Sequence, residues 1–234
     1  MSELFKVELS KDSKEIQYIC DIEALRWPDN GAMRAGADKF LKRQEYDALY
    51  KIISTEDGEI SLVRKKNVFK KPVRKGQILG HISIFPTRLV KPENIDKMFQ
   101  YLDRIREMGW ESVCSEFGLP INWHVATKSG YLEENGESVI DFSSKVYNLI
   151  NISIHSDYGG KIEGKKRIID YGIEGMKSDL IAKGGLYVFG YTRDLKSAIE
   201  CHIDNGGYQF GKIPECMPED LESNGRGELV IYKL

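Results

Sequence analysis

Apolar and polar residues alternate from Leu4 to Leu9, the period of a strand with one buried face. Ser10 and Asp12 follow with side-chain oxygens suited to capping a helix. The period then changes. Ile16, Ile19, Cys20 and Glu23 recur on one helical face, which predicts a helix from Lys14 to Arg26, broken by Trp27-Pro28-Asp29-Asn30-Gly31. A second helix is expected from about Met33 to Arg43, a strand from Leu49 to Ser54, and a turn over Glu56-Asp57-Gly58-Glu59. Arg64 to Lys75 is rich in Lys and Arg and poor in apolar residues. It reads as a solvated loop, or as a basic patch facing phosphates or an acidic partner. Strand character resumes over Ile78 to Phe85.

The segment from Pro86 to Lys145 fits the rest less well. Ile95, Met98, Phe99, Leu102 and Ile105 predict a helix over Pro92 to Met108, Gly118-Leu119-Pro120 marks a turn, and Gly130 to Ser144 is polar and turn-like. The reading is a single domain, residues 1–234, with an insertion or substrate-facing lid at about 86–146. The last ninety residues are the clearest. A strand over Tyr147 to Ile154 meets a glycine-rich turn at Gly159 to Gly164. An amphipathic helix over Lys165 to Leu180 follows, with Ile168, Ile169, Gly172, Ile173 and Met176 on one face. A strand over Gly185 to Tyr191, a helix over Asp194 to Asn205, and strands over Tyr208 to Ile213 and Glu228 to Tyr232 complete a mixed α/β pattern.

Composition changes this picture by exclusion. With 34 basic and 36 acidic residues in 234, the formal charge is −2, which argues against a dedicated nucleic-acid binder. No run approaches the ~20 apolar residues of a membrane span. The N-terminal stretch has no secretory pattern. Cys20, Cys114, Cys201 and Cys216 are scattered, without metal-ligand spacing, and read as reduced thiols in a cytoplasmic protein, a monomer or homodimer without a metal.

A strand that ends in a glycine-rich turn and opens a helix is suited to anions, because amides at the helix start point outward and its dipole favours negative charge. Gly159, Gly160, Gly164, Lys161 and Lys165 suit a phosphorylated cofactor. Asn151-Ile152-Ser153-Ile154-His155-Ser156-Asp157-Tyr158-Gly159-Gly160-Lys161-Ile162-Glu163-Gly164 resembles motif A of the GCN5-related N-acetyltransferases (GNAT superfamily), and Ala198 to Tyr208 resembles motif B. Gly159 stands where motif A begins with Arg or Gln, and Ile162 replaces its middle glycine. The C-terminal stretch from Gly211, with Trp27-Pro28 and Gly190-Tyr191-Thr192-Arg193, is similar to the branch containing the GNAT-like domains of polyketide-synthase loading modules. The resemblance covers residues 147–234 well and 4–60 loosely, and not the middle segment.

The resemblance implies a central mixed sheet flanked by helices, with acetyl-CoA or another acyl-CoA as co-substrate and no metal. It implies that the turn, Gly159, Gly160, Lys161, Ile162, Glu163, Gly164 and Lys165, holds the pyrophosphate of coenzyme A. It further implies that the backbone of Ile152 and Ile154 pairs with the pantetheine arm like an added strand. His202 falls where many members of the superfamily carry the tyrosine that protonates the leaving thiolate. An imidazole titrates near neutral pH and suits that task. Thr192 offers a hydroxyl to a thioester carbonyl or carboxylate, and Trp27 walls an acyl pocket. The function implied is transfer of acetyl from acetyl-CoA to an amine on a small-molecule acceptor. One alternative is decarboxylation of malonyl-CoA or a related acyl-CoA by Thr192 and His202. The other is a non-catalytic binding module without CoA affinity. An acyl carrier protein is a partner of the loading-module branch, and Met217, where the resemblance to its decarboxylating members leads one to expect Arg or Tyr, counts against it here.

Overall fold

A computed structural model of the chain describes residues 4–10, 12, 14–15, 17–19, 48–86, 91–109, 112–113, 116, 133–134, 137–138, 145–162, 166–192, 196–212 and 228–234. Its strands are β1 (Phe5–Leu9), β2 (Ala48–Ser54), β3 (Gly58–Arg64), β4 (Asn67–Val73), β5 (Ile78–Pro86), β6 (Glu133–Glu134), β7 (Glu137–Ser138), β8 (Val146–Ile154), β9 (Lys161–Ile162), β10 (Tyr187–Thr192), β11 (Gly207–Lys212) and β12 (Glu228–Lys233). Its helices are α1 (Pro92–Gln100), α2 (Leu102–Met108), α3 (Ile168–Ala182) and α4 (Lys196–Asp204). The order β1-β2-β5-β8-β10-β12-β11 makes a seven-stranded mixed sheet. The β8–β10 pair is parallel, while β1–β2, β2–β5, β10–β12 and β11–β12 are antiparallel. The chain divides into two compact units, residues 1–84 with 151–179, and 85–150 with 180–234.

In the first unit, α3 buries the face that its periodicity predicts. Ile168, Ile173 and Met176 are at most 1% exposed. Burying such a side chain contributes roughly 1.5–3 kcal/mol. Gly172 lets the helix approach closely, since a Cβ there would lie 2.4 Å from Ile52 Cδ1 and 3.2 Å from Ile82 Cδ1. Tyr50 Oη donates to Asp179 of α3 at 2.7 Å and ties the helix to β2. Phe5, Ile52, Leu62, Leu79, Ile162 and Ile168 belong to one core.

The basic stretch departs from the loop expected of it. Asn67–Val73 forms β4, antiparallel to β3 from Gly58↔Val73 to Arg64↔Asn67. The cause lies in β3, where Ile60 and Leu62 alternate inward at 6% and 0% exposure and anchor the hairpin. β4 is an edge strand, lysine-rich and almost wholly exposed, as edge strands that resist further pairing often are. The turn joining the two strands is Lys65-Lys66, with φ of 46° and 72°. That twist suits a two-residue hairpin, although Asn-Gly is its usual sequence.

In the second unit, the described helices of the middle segment belong to the core. Ile95, Met98 and Ile105 of α1 and α2 pack with Val146, Phe189, Phe210, Leu229 and Ile231. Pro92 opens α1 at a position where a missing N–H costs nothing. The expected helix over Pro92 to Met108 forms as two, parted at Tyr101. Tyr187 Oη donates to Asp96 of α1. Burial of the phenol, reinforced by that carboxylate, pushes Tyr187 up to about 12.

Of the N-terminal helix, Lys14, Glu15 and Gln17 to Ile19 are described and helical. The expected helix over Met33 to Arg43 and the turn at Gly118-Leu119-Pro120 lie outside the described residues. Among the described residues, no helix is long and apolar enough to cross a membrane.

Candidate functional site

The glycine turn lies in the first unit. After β8, His155 caps a short 3₁₀ turn over Ser156–Tyr158, its ring accepting from the Asp157 N–H at 3.2 Å. The chain then crosses Gly159 and Gly160 and enters β9, which pairs with β3 as Leu62↔Ile162 and Val63↔Lys161. The expected turn is therefore part strand. Ile162 is 6% exposed, its side chain is in the core, and its N–H donates to the Lys166 carbonyl at 3.3 Å. Gly160 has φ +120°, and a Cβ there would meet the Val63 carbonyl oxygen at 2.9 Å and Arg64 Cγ at 3.0 Å. The close approach that makes Gly160 a glycine is that of the β3–β4 hairpin.

Arg64, the last residue of β3, holds the turn. Its Nη2 donates to the carbonyls of Ser156 and Asp157, each at 2.7 Å, and its Nε donates to the Gly159 carbonyl. Lys71 Nζ lies 3.6 Å from Asp157 Oδ1. At the start of α3, Asp170 accepts from the Arg167 N–H at 2.8 Å and forms an ion pair with its guanidinium at 2.8 Å. A carboxylate three residues into a helix both caps the backbone and favours the positive end of the dipole.

Ile152 and Ile154 lie on β8, both partly buried, Ile154 against the core of this unit. Hydrogen bonding to β5 continues past the strand end, the His155 N–H donating to the Leu79 carbonyl at 2.9 Å. The described ladder with β10 ends at Leu149↔Gly190, whereas β8 continues to Ile154.

Thr192 and His202 lie in the second unit. Thr192 ends β10, is 9% exposed and is paired in register with Glu228 of β12. His202 is half-buried in the last turn of α4, its Nδ1 2.6 Å from Tyr232 Oη. Tyr232 is fully buried in β12. Trp27, Glu163, Gly164 and Lys165 lie outside the described residues. Sequence reasoning missed the role of Arg64 and Tyr232. Arg64 had a signal only as one cation in a basic run, and Tyr232 only as a strand residue.

No family model matches the chain, and no curated protein matches it. Solved structures do. An IAA acetyltransferase from Bacillus cereus ATCC 14579 aligns at 10% identity over 98% of this chain and 99% of its own, with a TM-score of 0.51. An acetyltransferase from Streptococcus agalactiae 2603 aligns at 9% identity over 99% of each chain, with a TM-score of 0.50. An aminoglycoside 6'-N-acetyltransferase complexed with coenzyme A aligns at 9% identity over 97% of this chain and 96% of that one, with a TM-score of 0.50. At such identities the likeness is one of fold: the chain has the mixed sheet and flanking helices of these acetyltransferases, the architecture that the motif A and motif B resemblance implied.

Proposed function

We propose that the protein is an acyl-CoA-dependent acyltransferase that moves acetyl from acetyl-CoA to an amine of a small-molecule acceptor. The observation that carries this reading is the alignment of nearly the whole chain with acetyltransferase structures, one of them holding coenzyme A. The order of strand β8, glycine turn and helix α3 supports it, because such a turn suits a diphosphate. In this reading the backbone of Ile152 and Ile154 pairs with the pantetheine amides, and the turn from Gly159 to Lys165 takes the diphosphate. The neutral amine attacks the thioester carbon. A C–N bond forms, the C–S bond breaks, and the amine's proton leaves to solvent. An N–H near Ile154 polarises the carbonyl. His202 gives a proton to the departing thiolate, with Nδ1 bonded to Tyr232, Thr192 offers its hydroxyl to the thioester carbonyl, and Trp27 is the residue assigned to the wall of the acyl pocket.

A second reading is favoured by two observations at the turn. Ile162 directs its N–H to Lys166, and the hairpin covers Gly160. Both suit a binding module in which the turn is structural and CoA affinity is lost. Mass spectrometry of acetyl-CoA incubated with the protein and a panel of amines separates the two. Acetylated amine and free CoA, lost in His202→Ala, support the transferase. Unchanged acetyl-CoA together with no CoA binding supports the module.

A further inference from the structure

The basic stretch plays no part in the proposed acyl transfer. Between Gly58 and Val73 the chain has five cations, Arg64, Lys65, Lys66, Lys70 and Lys71, and one carboxylate, Glu59. Arg64 is turned to the carbonyls of the glycine turn, and Lys71 lies 3.6 Å from Asp157. Lys70 lies 3.1 Å from Glu59, and Lys65 and Lys66 form the tip of the hairpin. β4, which carries Lys70 and Lys71, pairs with β3 and with no other described strand.

The register fixes which backbone groups of β4 face outward. In an antiparallel hairpin with a two-residue turn, the pair that flanks the turn exchanges both hydrogen bonds, and every second pair after it does the same. Arg64↔Asn67, Leu62↔Phe69 and Ile60↔Lys71 are the exchanging pairs, so Val68, Lys70 and Pro72 turn their backbone groups away from β3. Pro72 agrees with this phase, because a residue without an N–H fits a strand where that group would face outward. The Pro72 carbonyl accepts from Tyr158 Oη at 2.9 Å, which closes that end of the edge. The outward N–H and C=O groups of Val68 and Lys70 meet no hydrogen-bond partner among the described residues.

The side chains at this edge leave apolar surface in water. Val68 is 51% exposed and Phe69 44%, on opposite faces of the strand. An added strand would bond the outward backbone groups and cover both side chains. Lysines on an edge discourage an apolar or basic strand. The same charges favour an acidic one, so they select among partners.

We infer that the outer edge of β4 docks an extended acidic segment of a partner protein, added as a further strand to the three-stranded sheet. Its apolar side chains lie against Val68 and Phe69, and its carboxylates face Lys70 and the Lys65-Lys66 tip. The inference goes beyond the acyl-CoA reading and does not depend on it.

The test is fluorescence anisotropy on the full chain with the labelled peptide Glu-Glu-Val-Ile-Thr-Glu-Asp. Its controls are a copy with lysine at every acidic position and two copies N-methylated at one or the other set of alternate amides, which keep the charge and remove donors. The variants are Val68→Pro, which takes away an outward N–H and none of the bonds to β3, and Lys70→Glu. Lys97→Glu on α1 makes the same charge change elsewhere, and circular dichroism confirms folding. The acidic peptide is expected to bind saturably, and the lysine copy not to bind. Val68→Pro and Lys70→Glu should each weaken the acidic peptide roughly tenfold, with Lys97→Glu as wild type. One N-methylated copy should lose binding to the wild type and the other keep it, a result that does not depend on any variant folding. Added salt should weaken the peptide. No saturation by about 1 mM peptide would overturn the inference. So would equal binding of both N-methylated copies, or of the acidic peptide to folded Val68→Pro, since charge alone would then explain it. A single-stranded oligonucleotide binding as tightly as the peptide would make the hairpin a general polyanion surface and overturn it too.

Discussion

The glycine turn of the first unit and the His202–Tyr232 pair of the second are held by different means. The turn is fixed through its backbone, by a guanidinium 92 to 95 residues away in sequence that collects three of its carbonyls. The histidine is tied through its side chain, to a hydroxyl 30 residues away on β12. Loss of the first tie releases several peptide units at once. Loss of the second removes one side-chain bond and leaves the backbone hydrogen bonds of α4 in place. Changes at the turn should therefore act on stability and ligand affinity together, and changes at the pair on chemistry.

The largest effect is expected for His202→Ala on turnover. Loss of a general acid lowers acetyl transfer by roughly 10²- to 10⁴-fold, with CoA affinity within twofold of wild type. A rate within threefold of wild type would remove His202 from the chemistry and leave it a packed helix residue.

Next is Gly160→Val, which forces a β-branched side chain into φ +120° and against the Val63 carbonyl oxygen. A loss of about 2–4 kcal/mol in urea unfolding is expected, with the damage centred on β3, β9 and the turn. A stability equal to wild type would mean that the hairpin does not bear on the turn.

Tyr232→Phe sharpens the contrast. It should cost about 1 kcal/mol of stability, the net worth of one hydrogen bond, and shift the His202 ring nitrogens in nitrogen-15 NMR. Tyr187 gives a pH test within the same unit. Its folded value, about 12, lies above its ordinary 10.0, so the protonated phenol is favoured by folding. That contribution is complete below pH 10 and is lost as pH rises through 12. Denaturation between pH 9 and 12 should steepen in wild type and flatten in Tyr187→Phe.

The smallest effect is at the hairpin. Replacing Lys65-Lys66 by Asn-Gly relieves two side-chain-bearing residues at positive φ and should raise stability by roughly 0.5–1 kcal/mol.

These regions also differ in how much of them the chain discloses. α3 follows from apolar periodicity because it buries one face, and β8, β10 and β12 follow from apolar runs buried at successive positions. α4 has no buried residue, and its helical spacing is legible without a core face. β4 is not legible, because a strand exposed on both sides has no reason to alternate, and its turn lacks the Asn-Gly signal. β9 is two residues inside a run of glycines, too short for any period. The glycines of the turn are legible, but what they make room for is not. Gly160 reads as space for a ligand, and the structure fills that space with Val63 and Arg64. His202 is legible as a candidate by position. Its bond to Tyr232 is not, because it joins a helix residue to a strand residue 30 positions away.

The most direct test of the account is hydrogen exchange of the amides from Ile152 to Ile162, with and without saturating CoA. The account predicts slower exchange with CoA at Ile152, Ile154 and the amides of Gly159 to Lys161, and unchanged exchange at Ile162, whose N–H is already bonded to Lys166. Identical exchange at all of these positions, with CoA in excess, would contradict it.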